Sequence, residues 1–299
     1  MKLKDFFSSP ISANDFIQQT NIIRCCDYIF HSDFFCEDNK DHFGIENLNS
    51  CITEAPDKSC IVMCRFKDGE ISKLIESCSS KKQFKYVIVQ TIVGDDGFID
   101  EHLLKEIPEN VIAVYSKNIK FQSPKLKAIP IGRDWRNTAE SNTRNYIRSN
   151  FTDFQNLVYL NFSIETCEPV RGKVYRLFSN ESWVTIRLPY KFKHYQISHT
   201  AFVEEIHNHK FCFSPVGKAL DCYRTWDSLF AKTIPIVDRN FQVDNYHSLP
   251  ILFTDNWEEI NKSYLEEKYS EMLETDYDLS LAFTSYWLGL FNSIRETHF

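Results

Sequence analysis

The residues best suited to chemistry lie at positions 213–239, where a loop with Pro and Gly separates two apolar runs. The run at 211–216 is typical of a strand, and Asp221 is a good N-cap for a helix that follows. Free amides and the dipole at a helix start bind anions, and Arg224 adds a guanidinium suited to phosphate. Asp227 lies on the same helix face, where its carboxylate can accept hydrogen bonds from ribose hydroxyls. A nucleotide diphosphate is therefore one candidate ligand for this segment.

The same residues also allow a purely structural interpretation. Asp221 would then only cap the helix, and Arg224 and Asp227 would form a surface ion pair, because residues three apart on a helix are neighbours. Such caps and pairs are common, so spacing alone favours the structural interpretation. The elements around the segment decide whether it lies where a ligand can bind.

Strand-like apolar runs alternate with amphipathic stretches in the first half of the chain. Residues 60–66 and 86–94 are apolar and rich in β-branched side chains, as in strands covered on both faces. A predicted helix at 70–78 separates them, and another at 101–107 precedes a strand at 111–116. This βαβ order favours a parallel sheet with right-handed crossovers.

The alternation stops at residues 117–145, where apolar residues become sparse. We interpret this stretch as the crossover between two lobes. The second half repeats the pattern, with strands predicted at 157–163, 183–188, 211–216, 233–238 and 249–255, and helices at 171–178, 200–207, 222–232, 257–273 and 279–296.

The length of 299 residues suits two domains of about 130 to 150 residues each. We expect an N-terminal Rossmann-like lobe at 1–130 on the acceptor side and a C-terminal, nucleotide-binding lobe at 131–275. A C-terminal helix at 276–299 would pack back across the lobes. Ligands of parallel α/β sheets bind beyond the carboxyl ends of strands, and the loop after 211–216 meets this condition.

Composition and charge exclude several classes of partner. The net charge of -7 comes without a basic arm, which argues against nucleic acid. No signal peptide and no apolar run long enough for a membrane span occur, so we expect a soluble, cytoplasmic protein with no integral membrane segment. The ten cysteines are then expected as reduced thiols. Their spacing suggests no metal site.

The segment at 213–237 resembles the donor-binding segment of exostosin-like glycosyltransferases. In that family an apolar strand enters a Pro-Gly loop, a D-x-x-R-x-W-[ED]-x-L helix follows, and an I-P-I-V strand comes next. The chain departs from the pattern at Lys218 and Ala219, where a second Gly is common, and at Asp227, where Glu is usual. The matching residues are Phe213, Ser214, Pro215, Gly217, Asp221, Arg224, Trp226, Asp227, Leu229 and the run 234–237.

Two further segments resemble the family less specifically. Residues 111–132 resemble its interdomain stretch, and residues 158–178 resemble a strand and the helix after it, with Arg171 at the usual arginine position. Together the resemblance covers about residues 110–260.

This resemblance implies the GT-B architecture, in which two Rossmann-like lobes have parallel sheets that face each other across a cleft. It implies transfer of a sugar from a nucleotide diphosphate sugar to a glycan, glycoprotein or glycolipid, with no cofactor and no essential metal. Arg171 and Arg224 would then stabilise the leaving diphosphate. For Arg171, a solvent-exposed helix charge is the alternative. The donor-binding residues would be Ser214, Pro215, Gly217, Lys218, Asp221, Arg224 and Asp227.

An inverting reaction needs a base for the acceptor hydroxyl. Asp95 and Asp96 come at the end of the predicted strand at 86–94, where one carboxylate could serve as that base. Members of the family often carry an Asp here. Which of the two is equivalent stays open, and so does a simple solvated turn at 95–97.

UDP is the nucleotide that the resemblance favours. A fainter similarity in size and layout to the short xylosyltransferases of large algal viruses prompts UDP-xylose, although the residues themselves do not distinguish xylose from other sugars. Two functions remain as alternatives. One is a catalytically silent nucleotide- or carbohydrate-binding protein of the same fold, and the other is an enzyme that processes the nucleotide sugar without transfer.

Overall fold

The computed structural model describes residues 1–9, 11–12, 15–30, 51–65, 69–92, 99, 101–133, 156–187 and 197–299. The chain divides into two compact units. Unit 1 comprises Met1–Phe16 and Gly132–Ala282, and unit 2 comprises Ile17–Ile131 and Phe283–Phe299. The change at Gly132 lies close to the expected boundary, whereas the first 16 residues lie in the unit expected to begin at 131.

Short parallel strands are the framework of both units. The described residues form eleven of them: β1 Tyr28–Phe30, β2 Cys51–Ile52, β3 Cys60–Arg65, β4 Tyr86–Ile92, β5 Val111–Ser116, β6 Leu126–Ala128, β7 Asn156–Leu160, β8 Val184–Ile186, β9 His209–Phe213, β10 Ile234–Asp238 and β11 Leu252–Thr254.

Helices connect most of these strands. Nine α-helices lie within the described ranges: α1 Leu3–Ser8, α2 Gln19–Arg24, α3 Glu70–Ser80, α4 Glu101–Glu106, α5 Lys173–Phe178, α6 His199–His207, α7 Tyr223–Phe230, α8 Lys262–Glu274 and α9 Thr284–His298.

Unit 2 has a six-stranded parallel sheet in the order β2-β1-β3-β4-β5-β6. Its central strands β3 and β4 are buried on both faces, as their continuous apolar runs predict. One side of α3 packs into the same core through Ile71, Leu74 and Ile75. Helices thus cover a parallel sheet, as in a Rossmann-like lobe.

Unit 1 has a five-stranded parallel sheet in the order β11-β10-β9-β7-β8. Chain order reverses between β7 and β9, because β8 lies on one side of β7 and the later strands lie on the other. This point is the topological switch of a doubly wound sheet, where ligands bind outside the carboxyl ends of the strands. The predicted α/β class with two Rossmann-like lobes is confirmed.

The sequence analysis missed the short strands β1, β2 and β6. They contain only two or three residues each, which is too few for a recognisable period. Strand β6 lies inside the stretch interpreted as a crossover, and it adds an edge to the sheet of unit 2.

Two expectations about composition can be compared with the structure. No helix in the described part of the chain is long and apolar enough to cross a membrane.

Cys51 is disulfide-bonded, so the expectation of reduced thiols throughout is wrong there. Pairing depends on the spatial approach of two cysteines, which their number and spacing do not show. Cys60 and Cys78 are free, and burial raises the pKa of each thiol to about 12.

Candidate functional site

The candidate site lies in unit 1, at the switch point between β7 and β9. The segment after β7 contains Phe162 and leads through a wide helical turn, Glu168–Gly172, into α5. The segment after β9 is the predicted loop at 214–219, which leads into α7. Both loops leave carboxyl strand ends, so the fold places the predicted ligand segment where doubly wound sheets bind ligands.

Arg171 joins these two loops. It is buried, which contradicts the interpretation as a solvent-exposed helix charge. All five of its N–H groups have acceptors, none of them a carboxylate. The acceptors are the Val216 carbonyl of the β9 loop (from Nε, 2.9 Å), the Ser163 carbonyl (from Nη1, 3.1 Å), the Thr166 hydroxyl (from Nη1), the Pro215 carbonyl (from Nη2, 3.1 Å) and Cys222 Sγ (from Nη2, 3.5 Å).

The β9 loop is therefore held rigidly. The backbone N–H of Val216 donates to the carboxylate of Asp238 at the end of β10, over 2.8 Å. A Cβ atom built on Gly217 would lie only 2.5 Å from Nη2 of Arg171. Gly217 is needed here because the guanidinium lies directly against the backbone.

Arg224 lies in the first turn of α7 and has no such partners. Its side chain forms no hydrogen bond or ion pair with the described residues, and its buried Nε has no acceptor among them. Its Cζ lies 5.6 Å from the ring centroid of Phe162, and Cζ of Arg171 lies 5.6 Å from the same centroid. Burial, and then the positive charge of Arg171, lowers the pKa of Arg224 to about 10.

This pair of arginines makes the site a candidate for anion binding. Arg224 stays protonated at neutral pH, because a pKa of about 10 is still well above 7. Among the described residues, no carboxylate forms an ion pair with either Arg171 or Arg224, so two positive charges without a carboxylate partner lie near one ring. A diphosphate would relieve their repulsion and supply acceptors for the N–H groups of Arg224.

The predicted role of Asp221 as N-cap is wrong. The helix begins at Tyr223, one residue after Cys222, which occupies the N-cap position. The buried Asp221 carboxylate instead accepts hydrogen bonds from Trp226 Nε1, at 2.9 and 3.0 Å, and from the Tyr246 hydroxyl at 3.4 Å. Asp221 therefore fixes α7 against its surroundings from within the core.

Asp227 is also buried, and neither sequence interpretation of it holds in this structure. Its Oδ1 accepts from Arg133 Nε at 3.4 Å and lies 3.3 Å from His199 Nε2. Burial disfavours the charged carboxylate, but His199 and Arg133 outweigh it and hold the pKa of Asp227 below its usual value. The carboxylate thus neither pairs with Arg224 nor lies open to a ribose.

The remaining predicted residues have different positions. The buried Ser214 hydroxyl lies 2.9 Å from that of Thr225, and Pro215 contributes the carbonyl that Arg171 binds. Lys218 is the exposed member of the loop. Asp95 and Asp96 lie outside the described residues, so their role as base stays a prediction.

Sequence reasoning missed Phe162, Arg133, His199 and Asp238. Phe162 follows the predicted strand at 157–163, and polar or aromatic residues at carboxyl strand ends are a usable signal. The other three contact distant parts of the chain, which no local pattern shows.

Within the described residues, no group of three or more His, Cys, Asp or Glu could hold a metal ion.

Comparisons with known proteins add little to this geometry. No family model matches the chain. No curated protein matches its sequence. Solved structures with a similar fold include the apo form of OtsA, with a TM-score of 0.46 and 10% identity over 80% of this chain and 73% of OtsA. A likeness at this level carries no argument about function. The exostosin-like family stays a prediction.

Proposed function

We propose that this chain is a glycosyltransferase of GT-B architecture that uses a nucleotide diphosphate sugar, with UDP as the favoured nucleotide. The observation that carries the proposal is the pair Arg171 and Arg224 at the switch point of unit 1, without a carboxylate partner among the described residues. A cationic site at a carboxyl strand end suits the diphosphate of such a donor.

The two arginines would have different roles in donor binding. Arg224 has N–H groups available for the leaving diphosphate, and its charge would stabilise the negative charge that develops as the glycosidic bond breaks. Arg171 uses its N–H groups on the loops, so it would act at longer range through its charge and by holding the β9 loop. Gly217 and Lys218 of this loop would border the donor.

The acceptor side is proposed from the resemblance alone. Asp96 or Asp95 would take the proton of an acceptor hydroxyl on a glycan, glycoprotein or glycolipid, giving inversion without an essential metal. UDP-xylose is the first donor to test. The alternative is a silent protein of the same fold that binds the nucleotide without turnover.

Nucleotide binding tests the proposal directly. Thermal unfolding would be followed with UDP, GDP, CDP and ADP, each with and without EDTA, on the natural protein and Arg224→Met. A diphosphate at 100 times its Kd should stabilise the natural protein by about 2.7 kcal/mol, whether or not EDTA is present. Arg224→Met should lose this shift.

Without nucleotide, Arg224→Met should be more stable than the natural protein. Methionine keeps the apolar stem of Arg224 and removes a charge that burial and Arg171 disfavour, so the Tm without nucleotide should rise by roughly 2 to 4 °C. Arg176→Met is the matched control, because Arg176 is exposed and paired with Glu168 at 3.4 Å. It should change neither Tm nor binding. If no nucleotide raises the Tm of the natural protein, the proposal is wrong.

Turnover separates the enzyme from the silent protein. Asp95→Asn/Asp96→Asn should bind the selected nucleotide like the natural protein and lose sugar transfer from its UDP-sugar to an oligosaccharide mixture. Binding without any transfer in the natural protein would favour the silent alternative.

A further inference from the structure

A second polar cluster lies at the carboxyl end of β7, and its last member, Asn161, directly precedes Phe162 in the sequence. Tyr159 is buried in β7, and its hydroxyl lies 2.5 Å from Glu205 Oε2 on α6. Arg187, just after β8, pairs with both oxygens of that carboxylate, with Nε 2.7 Å from Oε2 and Nη2 2.5 Å from Oε1. Asn161, the first residue after β7, donates from Nδ2 to the Tyr159 hydroxyl at 2.9 Å.

Each hydrogen bond in this cluster can have only one donor and one acceptor. The carboxylate of Glu205 is paired with Arg187 and only accepts, so the Tyr159 hydroxyl must donate to it. Burial, and then the hydrogen bond to Glu205, raises the pKa of Tyr159 above its usual value, so the hydroxyl keeps its proton at neutral pH. The Tyr159 oxygen can then only accept from its other neighbour, and Asn161 must present its NH2 group to it.

The orientation of the Asn161 amide follows from this. With Nδ2 turned to Tyr159, the carbonyl oxygen Oδ1 faces away from the cluster. Asn161 is half-buried, its Oδ1 has no hydrogen bond to any described residue, and it is not among the atoms closed off from solvent. The next residue is Phe162, the ring next to Arg171 and Arg224. A fixed acceptor therefore lies at the switch point, one residue from the ring that links the cationic pair.

We propose that Asn161 Oδ1 is a specificity-determining acceptor that binds a hydroxyl group of the nucleotide sugar. The inference rests on the proposed function and names the chemistry of one subsite within it. A carbonyl oxygen accepts from a hydroxyl and repels a carboxylate or phosphoryl oxygen. The ligand would therefore place a hydrogen-bond donor against Asn161, and the hydroxyls of the transferred sugar and of the ribose are such donors.

Calorimetric binding to Asn161→Ala tests this assignment. The probes are UDP, 2′-deoxy-UDP, UDP-xylose and UDP-glucuronate, or the matching set for the nucleotide that binds best. If the sugar supplies the hydroxyl, the Kd of UDP-xylose should rise about tenfold while that of UDP stays the same. If the ribose 2′-hydroxyl supplies it, the Kd of UDP should rise about tenfold and that of 2′-deoxy-UDP should not change. UDP-glucuronate shows whether a carboxylate on the sugar is tolerated.

Tyr159→Phe tests the orienting role of the cluster. It removes the group that fixes the amide and leaves Asn161 in place, so the same probe should bind roughly threefold more weakly. The double variant Tyr159→Phe/Asn161→Ala should match Asn161→Ala alone, because the tyrosine acts through the amide. Tyr264→Phe on α8 is the control and should bind normally.

The possible failures are distinct. Absence of nucleotide binding by the natural protein would overturn the proposed function itself. Normal binding together with an unchanged Kd for every probe in Asn161→Ala would overturn only the role of Asn161. Additive losses in the double variant, or tighter binding of UDP-glucuronate than of UDP-xylose, would contradict the fixed hydroxyl-binding orientation.

Discussion

At the scale of single residues, Gly217 shows how closely the candidate site is packed. The Arg171 guanidinium is held by five acceptors, so it has little freedom to withdraw from an added methyl group at 2.5 Å. We expect Gly217→Ala to displace the β9 loop, to lower the Tm by several degrees and to weaken nucleotide binding about tenfold. Thermal unfolding and calorimetry on the same samples would measure both effects.

Gly289 provides the matched control for that substitution. It lies inside α9, and a Cβ atom there would meet nothing within 4 Å. Gly289→Ala should leave nucleotide binding unchanged and stabilise the helix by up to about 1 kcal/mol. Equal behaviour of the two variants would mean that the contact with Arg171 is unimportant.

At the scale of the element, α7 carries two charges with opposite surroundings. Arg224 lacks a partner among the described residues, whereas Asp227, one turn later, is paired with Arg133 and lies against His199. Because its pKa is lowered in the folded state, Asp227 stabilises the protein fully above its ordinary value of 3.8, and this contribution is lost as the pH falls below it. Asp227→Asn should therefore cost about 3 kcal/mol at pH 7.

The pH dependence of Tm measures this contribution. Between pH 6 and 3, the natural protein should lose more Tm than Asp227→Asn, and the two curves should converge at the acid end. Asp255→Asn is the control, because Asp255 is 77% exposed and paired with Arg239 at the surface. A constant gap between the curves of the natural protein and Asp227→Asn would show that the charge of Asp227 contributes nothing.

At the scale of the whole molecule, the N-terminus is part of unit 1 although most of unit 1 follows residue 131. Lys232, at the end of α7, is completely buried and donates to the carbonyls of Phe6 at 2.5 Å and Ser9 at 2.7 Å. Its backbone is left-handed, with φ of 63°, a conformation that costs a non-glycine residue energy. We expect Lys232→Met to lower stability by about 2 kcal/mol, because two buried carbonyls lose their donor.

Hydrogen exchange shows whether Lys232→Met loses stability at the N-terminal segment that Lys232 contacts. Amides of α1 should exchange faster in Lys232→Met, while those of β4 in unit 2 should not. Lys232→Gly relieves the backbone strain and still loses both hydrogen bonds, so it should also be less stable than the natural protein. A more stable Lys232→Gly would contradict the role of Lys232 as an anchor. Lys173→Met, at an exposed pair with Glu258, is the control.

Much of the architecture could be predicted because it depends on local pattern. The apolar runs that become β3, β4, β5, β9 and β10 are buried on both faces, and strands of that kind have to be continuous in sequence. Their alternation with helices determined the parallel sheets. The same rule placed the loop at 214–218 at a carboxyl strand end, and the choice of Arg224 followed from its position at a helix start.

Only the tertiary structure decided which charges remain available to a ligand. Asp227 is paired with Arg133, 94 positions away, and two of the five acceptors of Arg171 are carbonyls of the β9 loop about 45 positions later. From local spacing alone, Asp221, Arg224 and Asp227 are equally plausible site residues. The sequence by itself determined the longer strands, most of the helices and the residue types at the site, since these depend on neighbours in the chain. The partners of buried polar groups depend on distant segments, so folding alone turned Asp221 and Asp227 inward and left the Arg224 side chain and Asn161 Oδ1 without a hydrogen-bond partner among the described residues.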